Sequence, residues 1–307
     1  MPRRPSAATG LALIVAASVA FGFSGPLAKG LIGTGLPPTQ VTWLRVTGAG
    51  IALTAVALPV FLRRPKLPLA GLAAFGLAAV AGVQAFYFLA VQRLPVGVAL
   101  LFEFAGPVLV VAWVRFVRRS PLPRAAVLGT AVSLAGICVV VQIWTGLRLD
   151  GLGLLFGACA AVCQAAYFVG GERLTATVDT RVLLASGFVV GAVALTPVAR
   201  PWDIDWSLLA GPAVVAGARP AAWILAAVLI VGTVIAYLLG IAGLKRLSAP
   251  VAGALGYLEV VVAFAAAWAL LGERPTPVQL AGGAIVIAGV FLAQRAIAAR
   301  EPVPSAV

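Results

Sequence analysis

There is no histidine among the 307 residues, and there are only three cysteines and nine acidic side chains. Without His the common zinc and haem ligand sets and the His-based nucleophile triads are gone, and three scattered thiols cannot build a disulfide framework. Cys138, Cys159 and Cys163 each lie inside an apolar stretch, where a thiol behaves as a small hydrophobe. A phosphate-cradling Gly-rich loop ending in Lys and Ser or Thr is missing as well. An enzyme, a metal site and a bound cofactor are therefore not expected. Charge is equally scarce: 10% of the residues are charged against 62% hydrophobic, and the mean hydropathy is +1.10. Such a composition excludes a water-soluble globule and leaves an integral membrane protein.

What charge there is has one dominant sign, 22 Lys and Arg giving a net +13. In a soluble chain that excess would suggest a nucleic-acid partner. Here the cations punctuate apolar runs, so the partners expected are the lipid bilayer and a small-molecule substrate, with no nucleic acid; a homodimer is compatible with the sequence. A hydrocarbon core of about 30 Å needs about 20 apolar residues in a helix. Ten such runs occur, at 10–31, 39–62, 67–91, 96–115, 125–144, 151–171, 182–199, 221–244, 247–271 and 277–297. The fold class expected is all-α integral membrane with ten transmembrane helices. Connections such as Arg63 to Lys66 and Gln92 to Pro95 are too short to fold alone. The longest, Arg200 to Pro220, mixes Trp202 and Trp206 with Asp203 and Asp205, which suits the headgroup layer. Arg3 and Arg4 before an apolar run resemble a signal peptide, but the run is too long and no small-residue cleavage site follows, so it reads as the first membrane helix.

Placing both termini in the cytoplasm puts fifteen of the 22 cations on that side, among them Arg3, Arg4, Arg63, Arg64, Lys66, Arg118, Arg119, Lys245 and Arg246. The opposite side receives six: Lys29, Arg93, Arg148, Arg200, Arg219 and Arg274. Arg45 falls within the second span. Sliding the chain on itself by 153 residues superimposes Arg93–Gly136 on Arg246–Gly289 without a gap, matching Arg93-Leu94 with Arg246-Leu247 and Gly129, Ala131, Ala135 and Gly136 with Gly282, Ala284, Ala288 and Gly289. The domains expected are two five-helix repeats, 1–145 and 146–300, followed by a short tail, 301–307. Five is odd, so the repeats enter the membrane with opposite topology. That architecture places a site near the midplane and exposes it to alternate sides, which is the arrangement of a carrier. Small-residue pairs, Gly153 with Gly157 and Gly187 with Gly191, suit close helix packing.

Ionised groups deep in hydrocarbon cost several kcal/mol, so those within spans are candidates for function. Arg45 and Glu103 lie six and seven residues into the second and fourth spans, roughly 10 Å below the same face at 1.5 Å per residue. They can form an ion pair or hold the carboxylate and amine of a zwitterion. Glu259 lies near the middle of the ninth span. With no His available, Glu103 and Glu259 are the candidates for proton coupling. Gln84, Tyr87, Gln164, Tyr167, Tyr237 and Tyr257 supply polar groups inside spans, and Gln84, Tyr87, Tyr237 and Tyr257 join Arg45, Glu103 and Glu259 as the substrate-binding candidates. Gly25 and Pro26 in the first span and Pro107 in the fourth are helix breaks whose freed backbone groups can meet a ligand. Lys29, near a span end, reads as a snorkelling anchor.

Two stretches carry a family resemblance. One runs from Phe86-Tyr87-Phe88 through Gly97-Val98-Ala99-Leu100-Leu101-Phe102-Glu103-Phe104-Ala105-Gly106-Pro107. The other is Leu270-Leu271-Gly272-Glu273-Arg274-Pro275-Thr276-Pro277. With the two-times-five helix pattern, they resemble the EamA-type carriers of the drug/metabolite transporter superfamily, and the first is similar to the threonine and homoserine exporter branch. The resemblance implies multi-pass insertion in a bacterial-type inner membrane and secondary export of small metabolites such as amino acids. Many relatives have Glu followed by Pro in the ninth helix, where this chain has Glu259-Val260. Two other functions compete with amino-acid export: a carrier of drugs or amphipathic metabolites, and, from another class, an intramembrane lipid-processing enzyme using the two buried acids.

Overall fold

A segment that is apolar on every side leaves its backbone polar groups no partner but one another, and nearly every described segment of this chain is a helix. The computed structural model describes residues 7–63, 67–117, 119, 123–141, 149–175, 177–244 and 258–298. In chain order the helices are α1 (Ala7–Gly22), α2 (Ser24–Ile32), α3 (Pro38–Phe61), α4 (Leu69–Phe75), a π-type stretch (Gly76–Gly82), α5 (Val83–Arg93), α6 (Val96–Glu103), α7 (Gly106–Phe116), α8 (Arg124–Val141) and α9 (Gly151–Thr175). They are followed by α10 (Thr180–Ala199), a short α11 (Ser207–Ala210), α12 (Ala222–Leu244), α13 (Leu258–Leu271) and α14 (Pro277–Ala298). Among the described residues there is no strand, only two isolated bridges, Pro212 with Ala221 and Val215 with Ala218.

Six helical stretches are long and apolar enough to cross a membrane: Ala8–Ile32, Pro38–Phe61, Leu69–Arg93, Gly151–Gly171, Thr180–Ala199 and Ala222–Gly240. The other four expected spans overlap shorter apolar helices, Val96–Val110, Val127–Val140, Leu258–Leu271 and Pro277–Gly289. Large apolar side chains point outward along the long helices, with Ile51 70% exposed and Val193 68% exposed. In water that arrangement would be costly; against lipid tails it costs nothing.

Two expected spans are interrupted where proline removes a backbone donor. Pro26 has no amide hydrogen for the carbonyl of Gly22, four residues back, and the first span divides into α1 and α2 at Phe23. Pro107 likewise leaves the carbonyl of Glu103 without its helical donor, and the fourth expected span, 96–115, divides into α6 and α7 at Phe104 and Ala105. A third irregularity had no signal in the sequence. The π-type stretch fits an extra residue into its turn and so rotates α5, with Gln84 and Tyr87, relative to α4. The first part of the ninth expected span, 247–257, lies outside the described residues.

Helix pairing fixes the interior: α3 packs on α10, α1 on α12, α5 on α9 and α8 on α14. Gly153 and Gly157 meet Leu94 and Phe102, while Gly187 and Gly191 meet Phe75 and Val80. The α8–α14 contact has a reciprocal form at the spacing of 153 residues found in the sequence. A Cβ on Gly136 would lie 2.6 Å from the backbone nitrogen of Val286 and 2.9 Å from the carbonyl oxygen of Gly282. One on Gly289 would lie 2.5 Å from the nitrogen of Ser133 and 2.6 Å from the carbonyl oxygen of Gly129. Adding 153 to Gly129, Ser133 and Gly136 gives Gly282, Val286 and Gly289, so the two contacts exchange roles. Between them the Ser133 hydroxyl donates to the Val286 carbonyl at 3.1 Å, joining a residue to its own counterpart.

The long connection 200–221 folds over one end of the bundle. Ala213 donates to the Pro220 carbonyl at 2.8 Å, and Ala216 at the tip donates to the Leu270 carbonyl of α13 at 2.7 Å. Trp202 and Trp206 stay exposed.

Candidate functional site

Two prolines, Pro37 and Pro38, open α3, and two turns later the helix carries Arg45 into the interior, where it is 4% exposed. Its Nε donates to the Thr233 hydroxyl of α12 at 2.8 Å, and that hydroxyl donates to the Leu229 carbonyl at 2.7 Å. The guanidinium carbon lies 5.3 Å from the centre of the fully buried Phe88 ring. One edge of the guanidinium is thus held by a hydroxyl and its face by a ring. The two terminal nitrogens have no acceptor among the described residues and remain available.

Glu103 ends α6, immediately before the proline-induced turn, and is buried at 9% exposure. No direct ion pair joins it to Arg45, and among the described residues its carboxylate has no hydrogen-bond partner. The two groups nevertheless lie within electrostatic range, as Glu259, Tyr87 and Tyr237 do of Arg45. Five of the residues singled out in the sequence therefore converge on one interior region from α3, α5, α6, α12 and α13. Gln84, also buried, stands one turn before Tyr87 on the same side of α5. Gln164 packs on Gly106 in the α6–α7 break, and Cys163 beside it interacts with Glu103.

The break in the first span closes the region on another side. A methyl group at Gly25 would overlap the Tyr87 hydroxyl, and one at Gly22 would lie 3.0 Å from the Glu259 carbonyl oxygen. Phe21 stands edge-on to Tyr237 at 5.0 Å between ring centres, and Phe188 does the same at 5.1 Å. The Ser24 hydroxyl at the break is buried with no partner among the described residues. Glu259, second in α13, is half-buried. Tyr257 lies outside the described residues, and Pro107 is the second residue of α7.

Sequence reading gave no site role to Thr233 or Phe88, which hold Arg45, or to the Ser24 hydroxyl. A Thr or Phe within an apolar run has no periodic or motif signal that separates it from ordinary helix packing. Lys29 differs from expectation: it forms an ion pair with Glu273 in place of a free snorkelling end, and donates to the Leu94 carbonyl at 2.9 Å.

Chemically the region offers a cation with unused donors, a carboxylate with unused acceptors and a second carboxylate close by, all walled by aromatic rings. Such a set can clasp a small molecule bearing both a carboxylate and an ammonium group.

By sequence the chain is similar to transport proteins. The sequence matches the EamA-like transporter family twice, over residues 8–142 and 151–294. It is 30% identical over 285 residues to the threonine/homoserine exporter RhtA of Escherichia coli strain K12, covering 91% of this chain and 88% of that one. The exporter of the same name in Salmonella typhimurium strain LT2 is 29% identical over 281 residues, 90% of this chain and 87% of its own. A solved structure, described only as the crystal structure of a protein, superposes with a TM-score of 0.60 at 22% identity over 92% of this chain and 99% of the other, a likeness of fold alone.

Proposed function

The chain belongs to the EamA-like transporter family, and from that premise we propose that it is a secondary carrier exporting small zwitterionic metabolites, amino acids above all, across a bacterial-type inner membrane. The reading places ten membrane helices in two oppositely inserted five-helix repeats with both termini in the cytoplasm. The two family matches, the six helices of spanning length with shorter apolar helices overlapping the other four expected spans, and the reciprocal α8–α14 contacts support it. The distribution of Lys and Arg supports the orientation.

The observation that carries the substrate class is the pairing of opposite, uncommitted charges: the terminal nitrogens of Arg45 and the carboxylate of Glu103, held apart in one buried region. A substrate carboxylate takes the guanidinium edge and its ammonium takes Glu103. Glu259, within range of both, accepts and releases the proton that accompanies the exchange. Each charge is then satisfied only when substrate is present, which ties occupancy to the polar pocket. The names of the relatives as threonine/homoserine exporters support the same class.

The test is flux in proteoliposomes with a panel of labelled amino acids that includes threonine and homoserine. Saturable flux of at least one, competed by its unlabelled form, is expected. Absence of saturable flux for every member, with folded protein verified, removes the amino-acid reading. The rings of Phe21, Phe88 and Phe188 around the charges favour a second reading, a carrier of drugs or amphipathic metabolites. Resistance to hydrophobic toxins that excess amino acids leave unchanged would support it. Product formed in sealed vesicles without solute movement would instead revive the intramembrane enzyme.

Thr233→Val keeps the side chain's shape and deletes the hydroxyl that orients Arg45. A hydrogen bond to a charged group contributes about 1.5–3 kcal/mol, so the half-saturating substrate concentration should rise roughly 10- to 150-fold. Thr233→Ser should stay near the unmodified value. Equal behaviour of the Val and Ser variants in flux titrations would refute the positioning role.

A further inference from the structure

Glu273 sits in the motif between the last two helices, and its surroundings fix it from both sides. Gly272, at φ +69°, ends α13 in a conformation that a side chain would strain, and the Gly272 and Glu273 amides turn back onto the Trp268 and Ala267 carbonyls at 3.0 and 3.3 Å. At the other end Thr276 and Gln279 cap α14 reciprocally, the Thr276 amide donating to Gln279 Oε1 at 3.0 Å and the Gln279 amide to Thr276 Oγ1 at 3.2 Å. Between these clamps the Glu273 carboxylate pairs with Lys29 at 2.5 Å and accepts the Val96 amide, the first residue of α6, at 2.9 Å. Lys29, in the last turn of α2, makes a second bond, to the Leu94 carbonyl. One carboxylate therefore ties the α13–α14 turn of the second half to α2 and α6 of the first, and α6 is the helix that ends in Glu103.

The pair is neither sealed nor free, Lys29 and Glu273 being 27% and 19% exposed, and it borders a cavity of about 290 Å³ whose floor includes Phe264 and Ala267. The same end of the bundle is covered by the 200–221 connection, where Val215 lies against Gly30 and Ala216 bonds to α13. The aligned stretch of the internal repeat places Ser120 at the counterpart of Glu273, flanked by Arg118 and Arg119. A serine cannot make this ion pair.

Resting on the carrier reading above, we infer that Lys29 and Glu273 form a one-sided ionic latch that holds the carrier closed at this end, positions α6, and must part whenever that end opens. The two ends of an inverted repeat would otherwise close equally well, so a pair with no counterpart among the described residues biases the resting carrier toward closure at this end. Opening breaks the ion pair and the Val96–Glu273 hydrogen bond at once, which links movement of α6 and its Glu103 to separation of the halves.

The latch can be tested without any substrate. In the full chain with Cys138, Cys159 and Cys163 replaced by Ser, a reporter Ala267→Cys on the cavity floor is labelled with a membrane-impermeant maleimide in right-side-out and inside-out vesicles. Glu273→Gln and Lys29→Gln should each raise the labelling rate about tenfold from one face, within the usual span of conformational couplings. The exchanged pair Lys29→Glu with Glu273→Lys should lower it part of the way, since the ion pair returns while the bonds to Val96 and Leu94 do not. Labelling at the parent rate on both faces in both Gln variants would overturn the latch, as would a swap that labels as fast as the single variants. Because no solute is present, unchanged labelling beside measurable amino-acid flux sinks the latch alone. Faster labelling without flux of any amino acid leaves the latch standing and sinks the substrate reading.

Discussion

Arg45→Ala should abolish specific flux while leaving the protein folded. Truncating one partner of a buried charged contact costs roughly 2–5 kcal/mol, which corresponds to a loss in apparent affinity of about 30-fold to several thousandfold. Stability moves the other way or hardly at all. The variant loses a hydrogen bond to Thr233 and the contact with Phe88, but it also removes a cation from a low-dielectric interior, where ions are costly. Glu103→Gln should lose flux to a similar degree, because the amide cannot supply a counter-charge to a substrate ammonium. Flux titrations alongside detergent-solubilised melting curves distinguish the outcomes. Parallel loss of flux with normal membrane abundance marks a shared site; loss of folded protein in step with flux would mark both side chains as structural.

Gly136→Leu should have the largest effect on folding. The first added carbon would lie 2.6 Å from a backbone nitrogen of α14, and backbone cannot yield as the tip of a side chain can. Over-packing of this kind costs about 1–3 kcal/mol in ordinary cores and more where the obstacle is rigid, and here it also strains the Ser133–Val286 hydrogen bond. Gly289→Leu, its counterpart, should be equally damaging, since the obstructing atoms are again backbone. Gly232 has nothing within 4 Å, and Gly232→Leu should be tolerated. Monodisperse yield and melting temperature of the three variants give the comparison, and a well-folded Gly136→Leu protein would contradict the tight α8–α14 contact.

Much of the candidate site was legible because hydrocarbon makes charge conspicuous. Arg45, Glu103 and Glu259 stood out against apolar neighbours, and a count of residues from the span ends put the first two at one depth; the structure brings all three to one region. What that count could not supply was the third dimension. Thr233 approaches Arg45 from a helix far along the chain, and threonine in a membrane helix commonly satisfies itself on its own backbone. The partner of Lys29 was hidden for the same reason, since Glu273 lies at the opposite end of the sequence and reads as a loop residue. The prolines were informative about where helices divide, whereas the π-type stretch, built of Gly, Ala, Leu and Val, has the same composition as the regular helix around it. The identities at a spacing of 153 residues were visible in the sequence, yet only coordinates show that Gly136 and Gly289 face each other's neighbours.

In the proposed carrier the bond from Ser133 to Val286 has a mechanical consequence. When two related halves trade shapes, most contacts between them are exchanged for different ones, but a contact joining a position to its own duplicate is carried onto itself. The α8–α14 seam can therefore serve as a bearing, keeping one geometry while the remaining helices swing about it. Its glycines place two backbones close together where a hinge must be stiff, and leave the work of moving to helices whose neighbours differ between the two extremes.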